Sequence, residues 1–397
     1  MSVHTAVVLA AGEGTRLRPL TRNRPKPMLP AGNRPILEYV FDALVEAGLD
    51  RIVVVVGYKR DRVQNHFGPS YRGVELTYVA QDKQLGSGHA LLQARSEVSG
   101  PVLVVNGDRL IDGETVRSVI DHYETDPETP ALSVLERQDA SHYGAVDLRD
   151  GDLVSIVEKP DTDEYRLING GIYAFPESIF DEIEATPRAD GELALTDTIA
   201  RLIDHDRVRA VKTEGMWVDA TYPWDLLAVA REVLARGRVT EQPSDEGVWV
   251  ADSAHVHEDA TLQAPVVVGP DCEVAAGAVL GPNTALGDNV TVGANATVQN
   301  SVLDVDTRVD AGATLVDTVT GQNVSLGVET VVPGGPADVQ INTEVFEDQA
   351  LGAVFADRVR TRGNVSVSPG TLVGPGATLH AGVHAFGHIG EGTEVVR

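Results

Sequence analysis

The apolar residues of the chain recur with two different periods, and the change falls near residue 240. In the first part, short apolar runs alternate with longer stretches in which apolar residues recur at helical spacing. The runs typical of strands are residues 6–9, 52–56, 74–79, 101–105, 144–148, 153–157 and 168–175, and the stretches typical of helices are 36–48, 86–98, 176–185, 196–204 and 222–236. This alternation predicts an α/β domain with a Rossmann-like, mostly parallel mixed sheet. Ligands of such sheets bind at the carboxyl ends of the strands, where the loops at 10–26, 81–88 and 106–109 would meet.

The second part of the chain has a period of six residues. Apolar residues occupy every sixth position from Val256 to Val298, and the pattern resumes at Leu303 and again at Val367. An isolated strand has period two and a helix 3.6, so this repeat predicts a solenoid whose corners recur every hexad. The hexads resemble those of left-handed parallel β-helices, and the left-handedness rests on that resemblance. We predict domains at residues 1–240 and 241–397, with an irregular insertion, a loop or strand pair, around 329–363.

Composition narrows the classes of function. The 397 residues carry a net charge of −27, so nucleic acid and anionic membranes are not expected as partners. Only five of the 32 basic residues are lysine, and an acid excess with few lysines favours a protein from a salt-rich cytoplasm. The single cysteine, Cys272, excludes an intramolecular disulfide. We find neither a secretion signal nor an apolar run of the ~20 residues that cross a bilayer, and predict a cytoplasmic protein.

The most basic stretch of this acidic chain lies directly after its first apolar run. Residues 9–30 read LAAGEGTRLRPLTRNRPKPMLP, with two glycines followed by four arginines and Lys26. Glycines let backbone N–H groups approach an anion closely, and fixed cations then neutralise it. The stretch lacks Gly-Lys-Ser/Thr and the third glycine of a dinucleotide-binding turn, so neither common phosphate fingerprint applies. It predicts a nucleoside triphosphate site.

Seven motifs in order resemble those of the sugar-1-phosphate nucleotidylyltransferases. They are residues 9–30, Gln81 with Gly86-Ser87-Gly88, Asn106-Gly107-Asp108, Val157-Glu158-Lys159-Pro160, Asn169-Gly170-Gly171-Ile172-Tyr173, Leu195-Thr196-Asp197 and Trp217-Val218-Asp219. Enzymes of this family convert a nucleoside triphosphate (NTP) and a sugar 1-phosphate into an NDP-sugar and pyrophosphate. Catalysis of this kind depends on positioning and electrostatics.

The resemblance implies a role for each matching residue. Arg16 and Lys26 would neutralise the triphosphate and the transition state, and Asp108 is the third predicted catalytic residue. Asp108 and Asp219 would hold Mg2+, which prefers carboxylates and phosphate oxygens. The predicted nucleotide-binding residues are Leu9, Ala10, Ala11, Gly12, Gly14, Thr15, Gln81, Gly86 and Ser87, with Gln81 reading a pyrimidine edge. The predicted sugar-phosphate residues are Gly144, Glu158, Lys159 and Asn169.

Several of these residues have simpler explanations. Asp108 could cap a helix after Asp112, although a carboxylate at the end of a buried strand is costly unless paired or metal-bound. Glu158 and Lys159 could be an exposed pair worth less than ~1 kcal/mol. The arginines Arg18, Arg22 and Arg24 are predicted to be solvated charges.

The resemblance leaves the substrate and the second domain open. UTP with glucose 1-phosphate or N-acetylglucosamine 1-phosphate comes first, and dTTP with glucose 1-phosphate second. A non-catalytic sugar-nucleotide sensor would lack active-site charges, and a glycosyltransferase would have Asp-x-Asp where this chain has Asn106-Gly107-Asp108. Some relatives carry an acetyltransferase on the β-helix, which needs a histidine base, and this chain has none between His257 and His380. We expect the β-helix to form a homo-oligomer, such as a trimer, instead.

Overall fold

The alternating part of the sequence forms a ten-stranded mixed sheet with helices on both faces. The computed structural model describes residues 2–162 and 164–397. Its first strands are β1 Thr5–Ala10, β2 Pro30–Ala31, β3 Arg34–Pro35, β4 Arg51–Val56, β5 Ser70–Tyr71, β6 Val74–Ala80, β7 Val102–Asn106, β8 Arg109–Ile111, β9 Ala131–Glu136, β10 Gly144–Arg149, β11 Asp152–Glu158, β12 Leu167–Phe175, β13 Arg209–Lys212 and β14 Trp217–Asp219. The helices are α1 Ile36–Ala47, α2 Arg60–Phe67, α3 Ser87–Gln93, α4 Gly113–Glu124, α5 Ile179–Ala185, α6 Leu195–Ile203 and α7 Asp225–Ala235.

Strand β1 lies near the middle of the sheet. The strand order is β10-β11-β13-β9-β12-β7-β1-β4-β6-β5. Strands β7, β1, β4 and β6 are parallel to their neighbours within this group, and β12 runs antiparallel to β7. Successive side chains of β1 face opposite sides, so Val8 joins one apolar core with residues of α1 and α4 and Val7 joins the other with residues of α3, α5 and α6. Burial on both faces explains why β1 is apolar from Ala6 to Ala10.

Most predicted elements of this part are present. The helix predicted at 36–48 is α1, and the later three predicted helices are α5, α6 and α7, with ends shifted by up to three residues. The helix predicted at 86–98 ends earlier, at Gln93, and a short 3-10 turn follows at Arg95–Glu97. We did not predict α2, β9 or β13. Helix α2 buries only Val63 and Phe67, which is too few apolar positions to give a helical period.

The hexads form a β-helix with three parallel sheets. Its strands are β15 Pro243–Asp245, β16 Val248–Val250, β17 His255–Val256, β18 Thr261–Leu262, β19 Val266–Val268, β20 Glu273–Val274, β21 Val279–Leu280, β22 Thr284–Leu286, β23 Thr291–Val292, β24 Thr297–Gln299, β25 Val302–Leu303, β26 Arg308–Val309, β27 Thr314–Val316, β28 Thr318–Thr320, β29 Ser325–Leu326, β30 Val331–Val332, β31 Ala337–Ile341, β32 Glu344–Gln349, β33 Ala353–Phe355, β34 Arg360–Thr361, β35 Ser366–Val367, β36 Thr371–Val373, β37 Thr378–Leu379, β38 His384–Ala385, β39 His388–Ile389 and β40 Glu394–Val395. From β16 onward, each strand pairs with the corresponding strand of the next coil, three strands further on, except at the insertion, and β15 pairs antiparallel with β16. The predicted fold class, an α/β domain followed by a β-helix consistent with the left-handed form, is confirmed.

An antiparallel hairpin interrupts the β-helix without breaking its ladders. Strands β31 and β32 pair with each other, while β28 pairs directly with β33 across the insertion. Helix α7 lies against the first of the three sheets, where Leu234 packs with the outward-facing Val267 and Ala285. The hexad positions fill the interior, for example Leu280 and Val298, which are 0% exposed.

The chain divides into two compact units. The first unit comprises the first 13 residues, Pro25–Met28 and Ile36–Val218, and the second comprises Gly14–Arg24, Leu29–Pro35 and Asp219–Arg397. Two short N-terminal segments thus belong with the β-helix rather than with the sheet. Among the described residues, no helix is both long enough and apolar enough to cross a membrane.

Candidate active site

Three loops of the first unit meet at the carboxyl ends of β1, β6 and β7. The backbone N–H of Gly107 donates to the carbonyl of Leu9 at 2.9 Å, and Gln84 Nε2 donates to the carbonyl of Ala11 at 3.1 Å. The predicted nucleotide residues from Leu9 to Gly12 therefore lie between the two other predicted loops. Parallel strands bring the loops together because their carboxyl ends share one edge of the sheet.

Gly12 faces open space in this loop cluster. A Cβ built at Gly12 would have nothing within 4 Å, whereas the preceding Ala11 is 5% exposed. A side chain at this position would therefore meet no neighbour, and Gly12 itself is exposed.

Lys26 and Asp108 form an ion pair. The Lys26 ammonium lies 2.8 Å from Oδ2 of Asp108, and their side chains are 12% and 36% exposed. Asp108 does not cap the following helix, because Asp112 accepts the hydrogen bond from the N–H of Thr115 and is the N-cap of α4. Two of the three predicted catalytic residues are therefore in contact, and the carboxylate remains partly open to solvent.

Gln81 has a fixed amide orientation. Its Nε2 lies 3.0 Å from the carbonyl oxygen of Gly86 and 3.0 Å from Nδ1 of His89. A carbonyl only accepts, so the amide nitrogen must be the atom that faces Gly86. Burial and the charge of Arg188 lower the pKa of His89, which keeps the ring neutral and able to accept at Nδ1. Oε1 of Gln81 has no partner in the described part of the chain and remains as an acceptor.

Gly86 must be glycine in this loop. Its φ is +97°, and an added Cβ would overlap the carbonyl oxygen of Leu193. The neighbouring Ser87 begins α3, and its Oγ accepts from the N–H of Leu195 at 2.9 Å. The segment before α6 thus holds the Gln81–Ser87 loop in place.

Three predicted sugar-phosphate residues lie together at the paired strands β10, β11 and β12. Gly144 is opposite Glu158 in the register, and a Cβ added at Gly144 would lie 3.2 Å from Oε2 of Glu158 and 3.6 Å from Cβ of Asn169. Lys159 follows β11 with a φ of 45°, and its N–H donates to the carbonyl of Tyr143 at 3.0 Å. Glu158 and Lys159 are both exposed.

Asn169 is buried and already hydrogen-bonded. Its Nδ2 lies 2.7 Å from the hydroxyl of Tyr173, and its Oδ1 accepts from the N–H of Gly171 at 3.0 Å. These bonds fall where the register between β12 and β9 shifts. Asn169 therefore stabilises this irregularity and has one amide hydrogen left for a ligand.

The second unit holds the other predicted site residues. Gly14 has a φ of 70° and precedes a 3-10 turn that begins at Thr15. The exposed Arg16 places its guanidinium carbon 5.7 Å from the centre of the Tyr222 ring. Oδ2 of Asp219 accepts from the hydroxyl of Thr221 at 2.8 Å. In the ranges 2–162 and 164–397, no three His, Cys, Asp or Glu side chains cluster as a ready-made metal site.

Two features of the site were not predicted. His89 contacts Gln81. The signal that could have indicated it is that His89 is a polar residue within the short apolar stretch that forms α3. Arg24 was expected to be solvated, and this was wrong, because it is 3% exposed and forms ion pairs with Asp304 and Asp357. Those partners lie 280 and 333 residues further along the chain, so no local pattern could show them.

Two known protein families match parts of this chain. The family described as "Nucleotidyl transferase" matches residues 5–236, and the "GMPPB C-terminal domain" matches residues 262–383. The chain belongs to the nucleotidyl transferase family. It is an enzyme of the sugar-1-phosphate nucleotidylyltransferase type.

One relative of this nucleotidyl transferase aligns over nearly the whole chain, and another aligns over about half of it. The bifunctional protein GlmU of Methanocaldococcus jannaschii is 31% identical over 391 residues, which cover 95% of this chain and 93% of the relative. UTP–glucose-1-phosphate uridylyltransferase AglF of Haloferax volcanii is 36% identical over 225 residues, 55% of this chain and 92% of the relative. Among solved structures, UTP-bound UGPase from Acinetobacter baumannii matches with a TM-score of 0.53 and 28% identity, covering 59% of this chain and 94% of that one.

Proposed function

We propose that this nucleotidyl transferase moves a uridylyl group from UTP to glucose 1-phosphate or N-acetylglucosamine 1-phosphate, with Mg2+. A phosphate oxygen of the sugar phosphate attacks the α-phosphorus of UTP, and a new P–O bond forms. The bond from the α-phosphorus to the bridging oxygen breaks, and that oxygen leaves with pyrophosphate. The products are the UDP-sugar and pyrophosphate, so atoms and charge balance without a covalent enzyme intermediate.

The fixed amide of Gln81 is the observation on which the proposed selection of the nucleotide base rests. Nε2 of Gln81 is used by Gly86 and His89, so only the acceptor Oε1 is left to meet a ligand. Uracil and thymine carry a hydrogen on ring N3 and can donate to it, whereas cytosine has an unprotonated N3. Two acceptors facing each other leave both unsatisfied, which costs more than a hydrogen bond gains. We therefore propose selection of uracil or thymine against cytosine.

UTP comes before dTTP because of the similar proteins. AglF is named a UTP–glucose-1-phosphate uridylyltransferase, and the similar Acinetobacter structure contains UTP. The second candidate, dTTP with glucose 1-phosphate, is favoured by a putative glucose-1-phosphate thymidylyltransferase from Bacillus anthracis, 25% identical with a TM-score of 0.56 over 60% of this chain and 97% of that one. The two bases differ by one methyl group, worth about 1 kcal/mol of apolar contact.

The charged residues have complementary roles in this proposal. Lys26 leaves Asp108 to bind a triphosphate oxygen, and Arg16 binds a second one, so that charge on the departing pyrophosphate is stabilised. Lys159 holds the phosphate of the sugar phosphate, and Glu158 accepts from sugar hydroxyls. Both residues are exposed, which leaves them accessible to a ligand.

Asp108 and Asp219 are the proposed ligands of Mg2+. Mg2+ takes six oxygen ligands and commonly binds through one or two carboxylates plus phosphates, which fits a chain without a larger acidic cluster in its described residues. Asp108 is 36% exposed at its side chain and can accept a hard cation once Lys26 turns to the substrate. When bound, Mg2+ supplies charge neutralisation to the phosphates.

The β-helix is proposed to act without acetyl transfer. No histidine lies between His257 and His380, so the usual base for an amine substrate is missing from that stretch. Helix α7 already lies against the first sheet, which leaves the other two sheets for assembly into an oligomer. A non-catalytic sensor is disfavoured because Arg16, Lys26, Asp108, Lys159 and Asp219 are all present.

Pyrophosphate release tests the proposal. The purified full-length chain is incubated in high salt with Mg2+ and each combination of UTP, dTTP, CTP, ATP and GTP with glucose 1-phosphate and N-acetylglucosamine 1-phosphate. We expect release with UTP or dTTP, little with CTP, and none when EDTA removes the metal. A folded protein that releases no pyrophosphate in any combination would contradict the proposal.

A further inference from the structure

Arg24 is bound inside the second unit by two carboxylates of the β-helix. Its Nη1 donates to Oδ2 of Asp304, and its Nη2 donates to Oδ1 of Asp357 at 3.1 Å. The three residues are 3%, 6% and 4% exposed. Burial lowers the pKa of Arg24, but the charges of Asp304 and Asp357 outweigh this effect, so its pKa is raised and the guanidinium stays charged. Burial also raises the pKa of Asp304, and the charge of Arg24 opposes that rise. The three side chains thus form a buried contact around a charged guanidinium.

The backbone of the β-helix holds both carboxylates in place. Oδ1 of Asp304 accepts from the N–H of Val305 at 2.8 Å, and Oδ1 of Asp357 accepts from the N–H of Gln322 at 3.0 Å. Asp304 follows β25 and Asp357 follows β33, and Gly321, after the intervening β28, has no side chain to fill the space beside Asp357. Three successive coils therefore form one binding site for a guanidinium. The two Nη groups of Arg24 each bind a separate carboxylate, an arrangement that suits arginine better than lysine.

Fixing Arg24 also fixes the segment that carries Arg16. Residues Gly14–Arg24 fold on themselves, with the hydroxyl of Thr21 donating to the carbonyl of Gly14 at 2.8 Å. Leu17 and Leu20 are each 1% exposed. Arg24 ends this folded segment two residues before Lys26.

The hairpin of the β-helix provides a second contact to Arg16. Phe346 of β32 has its ring centre 4.5 Å from that of Tyr222, which is stacked on Trp224 at 4.8 Å. The Arg16 guanidinium lies over the same Tyr222 ring. An aromatic face attracts a guanidinium and restricts its position. Phe346 thus lies one ring away from a predicted catalytic cation.

We propose that the β-helix positions the triphosphate-binding segment of the active site, with Asp304, Asp357 and Phe346 as positioning residues. This inference rests on the proposed function, since it assumes that Arg16 and Lys26 bind the triphosphate. The two aspartates hold the segment through Arg24, and Phe346 holds Arg16 through Tyr222. The β-helix then has a role in turnover that is separate from assembly.

The test separates positioning from folding. Arg24→Met is compared with the triple variant Arg24→Met/Asp304→Asn/Asp357→Asn, which removes all three charges together. We expect Arg24→Met to lower kcat/KM for the NTP by about 100-fold, as misplacement of reacting groups does, and to lower the melting temperature. The triple variant should recover the melting temperature but not kcat/KM. The exposed β-helix residue Arg360 serves as the control, and Arg360→Met should match wild type.

The hairpin is tested without touching the buried cluster. Phe346→Ala should raise KM for the NTP and lower kcat, whereas Phe346→Tyr keeps an aromatic ring and should retain wild-type kinetics. Val345→Ala, at the 57% exposed neighbouring position, is the matched control. Recovery of kcat/KM together with melting temperature in the triple variant, or wild-type kinetics in Phe346→Ala, would overturn the inference while the proposed function stands. A folded wild-type chain without activity would instead remove the proposed function.

Discussion

Lys26 and Arg24 lie two residues apart, and both are paired with aspartates far along the chain. The Lys26–Asp108 side chains are 12% and 36% exposed, whereas those of Arg24 and Asp304 are 4% and 8% exposed. A partly exposed pair gains little from its attraction, because water and salt compete for both charges. A buried pair cannot exchange partners, because an isolated charge in the interior is too costly.

Exposure, more than residue type, distinguishes the two cations and the roles that we propose for them. In the proposed reaction, Lys26 leaves its carboxylate for a phosphate oxygen and returns to it in each cycle. Arg24 keeps its partners and defines where the segment stands. The first cation is therefore suited to chemistry and the second to architecture, although both belong to the same basic stretch.

The largest expected effect is on turnover in Lys26→Ala. Loss of one preorganised charge at the transition state lowers kcat by about 1,000-fold. Stability to urea should change by about 1 kcal/mol or less, because the pair is partly exposed. Pyrophosphate release and urea unfolding measure the two effects, with Lys212→Ala, an exposed lysine at the end of β13, as the control. Loss of folding together with activity would contradict a chemical role.

Arg24→Met should lose more stability than Lys26→Ala. The variant leaves Asp304 and Asp357 buried without their cation, and removing one partner of a buried pair costs about 3–5 kcal/mol. Urea unfolding of Arg24→Met and Lys26→Ala, side by side, measures the contrast. If Arg24→Met unfolds at the same urea concentration as Lys26→Ala, the distinction between the two cations fails.

Base selectivity should shift by a smaller amount in Gln81→Leu. Leucine cannot accept from ring N3 or clash with it as an acceptor, so the preference for UTP over CTP falls by about tenfold, the worth of one net hydrogen bond. The ratio of kcat/KM for the two nucleotides measures this. His89→Gln retains a side chain that can accept from Gln81 and is the matched control. An unchanged ratio in Gln81→Leu would show that the base is read elsewhere.

Salt should change the stability of the whole chain but have the smallest effect on the contrast between Arg24 and Lys26. The net charge of −27 predicts that the chain loses stability when molar salt is removed, because the repulsion between exposed carboxylates is then unscreened. The destabilisation caused by Arg24→Met should stay the same in low and high salt, since its partners are buried. Urea unfolding in molar and in dilute salt tests both statements. A chain that is equally stable in both would refute the salt requirement.

Periodicity made much of the fold predictable. The hexad positions such as Leu280 and Val298 are fully buried, and a six-residue period has few structural solutions. Likewise, the glycine loop, Gln81 and Asp108 each follow a strand, and the carboxyl ends of these strands share one edge of the sheet. The structure brings their loops together through the contacts of Gly107 with Leu9 and of Gln84 with Ala11.

Contacts between distant segments had no signal in the sequence. Arg24 and Asp304 are 280 residues apart, and Phe346 belongs to the part of the chain in which the hexad period breaks. Burial of an arginine depends on tertiary surroundings, and by residue type alone arginine is expected at the surface. The orientation of Gln81 was equally out of reach, because it follows from the carbonyl of Gly86 and the neutral ring of His89.

The reverse reaction is a direct test of the proposed uridylyl transfer and of the role of Lys26 in it. The full-length chain, with Mg2+ and labelled pyrophosphate, is given UDP-glucose, UDP-N-acetylglucosamine or dTDP-glucose, and formation of labelled NTP is measured for wild type and Lys26→Ala. We predict labelled UTP or dTTP with the wild-type chain and about 1,000-fold less with Lys26→Ala. Absence of labelled NTP with a folded wild-type chain would contradict nucleotidylyl transfer by this protein, and equal rates in the two proteins would contradict a catalytic role for Lys26.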